Sequence, residues 1–354
     1  MLRRLVDELS KWLPWTPTAL VVHLAVQYEA QDEAVREAFL EDFRSRILMT
    51  YRQGFSTPLE LVGGKSITSD AGWGCMLRVT QMILAQCFSA IVLGREWRYE
   101  EGRDLTPGSD YLRIISCFLD IPSAPLSLHR LVAAGQRLLG KEPSAWFGPT
   151  SAARAAGCLL GEAAVGAAAP DAGPEAQAPF LRSVACVVFE DGAIFKASVL
   201  NCFREKACIN AVIILVCRRL GLETFNLEEY REGVENCFSL PEFQGLASGN
   251  SSSSAHFFVG THEDYLLYLD PHSVQPCLES VSAVAPGTPT AQGLRPSRPL
   301  ALRWARLNPS VCMGFLVRSP EEFLALCGKL CDGPSGRVFE VLEKEPSYAS
   351  RTEE

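Results

Sequence analysis

Residues 68–86 read TSDAGWGCMLRVTQMILAQ, and two kinds of order meet at Cys75. Before it runs a turn-rich stretch, FSTPLELVGGKSITSDAGWG, in which Gly72 and Gly74 close on the cysteine. After it Met76, Val79, Ile83, Cys87 and Ile91 recur every three or four residues, the period of an amphipathic helix. Gly94 is a good stop signal for that helix. Cys75 is therefore expected at a helix entrance, where partial positive charge and free backbone N–H groups favour the thiolate. The same N–H groups could hold an oxyanion during acyl transfer. The flanking glycines leave room for a substrate backbone to approach. A turn cysteine packed under the helix is the plainer alternative.

A reactive thiol needs a base, and the chain has five histidines. His23 and His129 sit in apolar contexts that read as helical and suit packing or surface roles. His256 and His262 flank the strand-like SAHFFVG, which makes His256 a rival candidate. His272 stands out because Asp270 precedes it by two in YLDPHSVQP. In extended chain, residues i and i+2 share a face. A carboxylate there can fix the imidazole tautomer and stabilise its charged form. Pro271 between them restricts the backbone. A turn with a surface histidine would also explain the tripeptide.

Working outward, residues 29–53 place Val35, Phe39, Phe43, Ile47 and Tyr51 on one helical face. YLRIISCFLD, LHRLVAAGQRLLG and GPTSAARAAGCLLGEAA also read as helical. Residues 157–179, rich in Ala, Gly and Pro, read as a flexible connector. Strand-like runs follow: SVACVVF, NAVIILVCRRL, SAHFFVG, DYLLYLD and CMGFLV. Helices first and strands later predict an α+β fold with a largely antiparallel sheet. The stretches 245–254 and 284–299 and the polar tail 345–354 read as loops or insertions. The expected organisation is an N-terminal segment 1–28, a main domain 29–344 and that tail.

A formal net charge of −8 without basic runs argues against a nucleic-acid partner. No stretch is apolar for the roughly 18 residues of a membrane span. Asp7, Glu8 and Lys11 interrupt any secretory signal, so a cytoplasmic protein is expected. Thirteen cysteines are an odd number and are scattered singly through apolar runs, which suits buried thiols better than a disulfide framework. With no CxxC, no metal or other cofactor is expected.

The segment TSDAGWGCMLRVTQMILAQ resembles the nucleophile segment of the autophagins, autophagy-related cysteine proteases of papain-like fold. The resemblance continues through TYRQGF (50–55), LGREWR (93–98), LHRLVAAGQ (128–136), AWFGPT (145–150), VIILVCRRLG, SAHFFVG, YLLYLDPHSVQP and LNPSVCMGF, collinear from about residue 44 to 318. It implies that Cys75 is the nucleophile, that Asp270 and His272 complete the triad, and that Tyr51 donates to the oxyanion. It further implies cleavage of small ubiquitin-like modifiers after a C-terminal glycine, including their release from phosphatidylethanolamine. Partners would be those modifiers, free or lipid-conjugated, with membrane contact only through the substrate and the enzyme acting as a monomer. Trp146 matches the family tryptophan that covers the substrate channel, although a core role would also explain it. The family's gating loop, usually GGKP, here reads ASGNSSSS (247–254), with Gly249 and Asn250 at its centre and no proline. Val79 stands where several relatives carry a second cysteine. FEVL (339–342) has the form of a modifier-binding motif, but a terminal strand explains it better. Two alternatives remain: another ubiquitin-like-modifier protease of papain-like fold, or an inactive modifier-binding protein.

Overall fold

The computed structural model describes residues 20–29, 33–61, 63–165, 178–205, 208–249 and 254–346. A hairpin, β1 (Leu20–His23) and β2 (Val26–Glu29), leads into α1 (Glu33–Arg44) and the short strands β3 (Tyr51–Gln53), β4 (Leu59–Glu60) and β5 (Ser66–Ile67). Helices then dominate: α2 (Cys75–Val92), α3 (Glu101–Asp104), α4 (Asp110–Ser116), α5 (Leu128–Leu139) and α6 (Pro149–Ala164). Next come β6 (Val184–Phe189), β7 (Ala193–Phe195), α7 (Lys196–Glu205), β8 (Ala211–Arg219) and α8 (Leu227–Cys237). The strands β9 (Phe243–Gly249), β10 (Ala255–His262), β11 (Tyr265–Leu269) and β12 (Val274–Pro276) precede α9 (Pro289–Gly293) and β13 (Leu300–Arg303). The described chain closes with β14 (Ser310–Val317), α10 (Pro320–Cys331) and β15 (Glu340–Leu342).

The main sheet runs β13-β11-β10-β9-β14-β8-β6, and β1 joins the far half of β10. Its pairings are antiparallel except β6 with β8. Side chains alternate across it. Ala211, Ile213, Leu215 and Cys217 of β8 face the core made by α2 and α4–α6, while Val212, Ile214 and Val216 face a second core with α8 and α10. Burial on both faces explains why β8 reads as an unbroken apolar run. The molecule is thus α+β, a mixed, mainly antiparallel sheet between helical layers.

Helix α2 lies in the first core, buried along nearly its whole length, from Cys75 to Ala90. That accounts for its apolar character all round, since no face meets water. Gly94, at φ +87°, ends the run as expected.

The structure corrects five readings. The helix expected over residues 29–53 stops at Arg44. Ile47, Met49 and Tyr51 also fit a period of two, and external partners decide between the periods: Leu48 N–H bonds Leu294 O and Tyr51 N–H bonds Pro271 O. His23 lies on a strand. Residues 157–164 of the expected connector are helix, and the small residues serve close packing: a Cβ on Gly157 would stand 2.7 Å from Val188. Residues 166–177 lie outside the described residues. The loop expected over 245–254 is strand β9 up to Gly249, buried throughout and paired on both sides. Gly245, at φ +116°, serves a bulge against β14, and its missing Cβ makes room for the Phe257 ring at 2.5 Å. Within 284–299, α9 and the buried Leu294 are packed structure. Residues 340–342 of FEVL form β15, parallel to β7.

Candidate active site at the entrance of the buried helix

Cys75 is the first residue of α2, and Gly74 precedes it with no side chain capping the helix. Two further segments converge here. β3 brings Tyr51, and its parallel partner β12 (Val274 opposite Tyr51) holds the chain that has just passed Asp270 and His272. The Tyr51 and His272 rings meet edge to face at 5.4 Å.

The Asp270 carboxylate accepts hydrogen bonds from His272 twice, from Nδ1 at 2.5 Å and from the backbone N–H at 3.1 Å. With Nδ1 held there, Nε2 is the ring nitrogen left for the hydrogen bond that His272 makes with Cys75. Burial pushes the Asp270 carboxyl up, but the bond from His272 and the charge of His256 outweigh it, leaving it at about 2. Burial would lower the His272 imidazole; its bonds to Asp270 and Cys75 instead hold it up at about 9. Burial likewise pushes the Cys75 thiol up, yet hydrogen bonds with His272, the Ala255 backbone and Tyr51 bring it below the ordinary thiol range. Both shifts, the thiol downward and the imidazole upward, favour a thiolate–imidazolium pair. Tyr51 moves the other way, first through burial and then through the charge on Cys75, so its hydroxyl stays a donor.

A buried charge cluster underlies this arrangement. Arg78, one turn into α2, bonds Asp70 Oδ2 through Nε at 2.8 Å and lies 2.9 Å from Asp120 Oδ1. Asp70 accepts the Arg52 N–H at 2.6 Å, and its backbone carbonyl accepts the Gly74 N–H at 2.9 Å. Asp120 exchanges bonds with the backbone of Leu278, from the chain just beyond β12. Arg52 adds a bond to Pro276 O. One cluster therefore joins the Tyr51 strand, the turn before Cys75 and the segment after His272. A lone arginine among the apolar residues of α2 was the available signal, since arginine is almost never buried unpaired.

Cys75, His272, Asp270 and Tyr51, singled out from sequence, thus come together from separate parts of the chain. Sequence reading missed the Ala255 N–H at the sulfur, a backbone group that leaves no trace in residue type. His256 is buried beside the group rather than at its centre, 3.8 Å from Asp270 Oδ1. Trp146 is half exposed, at 49%, which rules out the core alternative. Its carbonyl accepts from Lys141 Nζ, and among the described residues no hydrogen bond or ring stack ties it to the cluster. Gly249 ends β9 opposite Ala255. Asn250 lies outside the described residues.

A family model of the peptidase C54 catalytic domain matches residues 36–329. A probable cysteine protease ATG4 of Pichia angusta is 31% identical across 89% of this chain, which spans 64% of that relative. A probable cysteine protease atg4 of Aspergillus oryzae is 30% identical, covering 90% of this chain and 76% of the relative. The cysteine protease ATG4B of Gallus gallus is 31% identical, covering 89% and 82%. The chain belongs to the peptidase C54 family, the autophagy-related cysteine proteases whose nucleophile segment residues 68–86 resemble.

Proposed function

We propose that this chain is a cysteine endopeptidase in which Cys75 is the nucleophile, His272 the general acid and base, Asp270 the group that orients His272, and Tyr51 a donor to the oxyanion. The observation that carries the reading is His272, held through Nδ1 by Asp270 at 2.5 Å, with its ring against that of Tyr51 and its imidazole raised by its interactions with Asp270 and Cys75. The Cys75 thiolate attacks the scissile carbonyl carbon, forming a C–S bond and an oxyanion. In this reading the Tyr51 hydroxyl and N–H groups at the start of α2 stabilise that oxygen. Collapse breaks the C–N bond while the His272 imidazolium proton passes to the leaving amine. Water, deprotonated by His272, then attacks the thioester, releasing the carboxylate and the thiol.

The substrate we assign is a small ubiquitin-like autophagy modifier cut after its C-terminal glycine, whether the amine carries a peptide extension or phosphatidylethanolamine. Support for the substrate comes from the collinear resemblance, and the names of the relatives support the cysteine-protease chemistry. Trp146 would exclude residues larger than glycine before the cut, and the segment containing Gly249 and Asn250 would admit the tail. Action in the cytoplasm follows from the substrate, and membrane contact is made through the lipidated modifier alone. Incubation with a tagged modifier precursor tests the reading: the expected product ends at the glycine, and Cys75→Ala makes none. A wild-type protein that leaves every such precursor intact refutes the substrate; Cys75→Ala cleaving within about tenfold of wild type refutes the nucleophile.

A further inference from the structure

Strand β10 enters the site with two consecutive residues. Ala255 donates its backbone N–H toward the Cys75 sulfur. His256, the next residue, is buried at 5% exposure and contacts the other end of the same group. Its ring lies 4.4 Å from that of Tyr268, tilted by 38°, and 5.3 Å from that of His272, at 76°. Its Nδ1 stands 3.8 Å from Asp270 Oδ1, the oxygen that His272 holds from the other side at 2.5 Å. The Asp270 carboxylate is therefore flanked by two imidazoles. Pairing of β10 with β11, Phe257 opposite Leu269, fixes the offset that makes this possible.

A histidine is a costly way to fill a buried, mainly apolar position, because its polar nitrogens must be satisfied there. A phenylalanine would supply the same aromatic wall against Tyr268. What phenylalanine lacks is a polar edge toward the carboxylate. We infer that His256 is a positioning residue, presenting that edge to Asp270 and so keeping the carboxylate aligned on His272, while anchoring the strand end whose Ala255 N–H meets the nucleophile. The inference rests on the triad assigned above. The carboxylate's low pKa is consistent with it, since the charge of His256 follows burial and the His272 bond among its causes.

The test uses the full chain as wild type, His256→Phe, His256→Asn and His272→Ala. Two readouts apply: turnover of a modifier precursor bearing a fluorophore after its glycine, and alkylation of Cys75 by iodoacetamide at pH 7, followed by mass spectrometry of the Cys75 peptide. The second needs no substrate. His256→Phe is expected to lower kcat by about tenfold or more with KM within about twofold, and to slow Cys75 alkylation several-fold. Its melting temperature should stay within a few degrees, because the ring is retained. His256→Asn, whose amide can place an N–H near the Nδ1 position, should recover most of both rates. Wild-type rates in folded His256→Phe overturn the inference, and so do equal losses in the two His256 variants, which would reduce the residue to filler. If His272→Ala alkylates as fast as wild type, the triad assignment itself falls, a result separable from failure of the His256 variants alone.

Discussion

Replacing Arg78 with methionine removes the guanidinium that joins Asp70 to Asp120 while filling much of its volume. Asp70 is 0% exposed and Asp120 1%, so neither carboxylate can turn to water for compensation. Each keeps a backbone donor, the Arg52 N–H at 2.6 Å for Asp70 and the Leu278 N–H at 2.8 Å for Asp120. Removing one member of a buried ion pair costs about 3–5 kcal/mol, mainly through the charge left behind. Here one cation serves two carboxylates, which raises the cost; the retained N–H bonds and Arg52, 4.0 Å from Asp120, reduce it. A loss of about 4 kcal/mol follows, which for a domain of this size corresponds to a fall of roughly 5 °C in melting temperature. Catalysis should suffer with stability, because Asp70 holds both the strand of Tyr51 and the turn into Cys75. The expected signature in folded protein at 20 °C is kcat down by about tenfold at nearly constant KM. Adding Asp120→Asn to Arg78→Met deletes one uncompensated charge and should restore part of the stability, a coupling a double-mutant cycle would register. Thermal melts of the four proteins, with turnover alongside, decide the matter. An Arg78→Met protein that melts within about 2 °C of wild type and turns over normally would show that the cluster bears on neither fold nor site.

Four further outcomes are expected. Cys75 should react with iodoacetamide below the pH where ordinary thiols ionise, and kcat/KM should fall as pH rises through about 9, where His272 loses the proton it gives the leaving amine; a profile that rises only near pH 9 refutes the ion pair. In stability the same raised imidazole contributes fully below its ordinary 6.5 and loses that contribution as pH rises through about 9, while Asp270 contributes above its ordinary 3.8 and loses its share as pH falls toward 2, so urea midpoints of wild type against His272→Ala should converge at high pH. Asp270→Asn should lower kcat by orders of magnitude with the fold intact, since an amide stabilises the imidazolium poorly; near-wild-type turnover would remove Asp270 from the mechanism. Trp146→Ala should admit alanine before the cut and shift the melting temperature by less than about 2 °C, because the ring is half exposed; strict glycine selectivity retained in that variant would assign the narrowing to another residue.

The elements most legible in sequence were those whose local pattern and tertiary environment agree. The i, i+3, i+4 run after Cys75 became α2, and the five apolar runs of the second half became β6, β8, β10, β11 and β14. Illegibility had two physical sources. Small residues are ambiguous: the same Ala and Gly that suggest a flexible tether at 157–164 let α6 lie close on β6, and Gly245 relieves crowding rather than loosening a loop. Long-range hydrogen bonds are invisible: Tyr51 looked helical because its partner, Pro271 O, lies 220 residues downstream. The candidate site divides the same way. Asp270 and His272 are two residues apart and could be paired by inspection. The Arg78 cluster joins Arg52, Asp70, Arg78 and Asp120, and only folding brings them to Gln275–Leu278.

The bare N-terminus of α2 follows from that same cluster. A serine or aspartate at position 74 would cap the helix and contribute about 1 kcal/mol. Position 74 cannot carry one, because a Cβ there would stand 2.5 Å from the Asp70 carboxylate oxygen, and Asp70 is committed to Arg78 and to the Arg52 N–H. Glycine is thus imposed by the charge cluster, and the first-turn N–H groups are left without a side-chain acceptor. A surface helix in that condition would fray. α2 does not depend on its cap, since it is buried from its first residue through Ala90 and tertiary packing supplies its stability. The N–H groups and the partial positive charge of the helix end stay available to an anion at Cys75, which in the proposed mechanism is the thiolate first and the oxyanion after it. Burial of the helix body is what permits a reactive helix end.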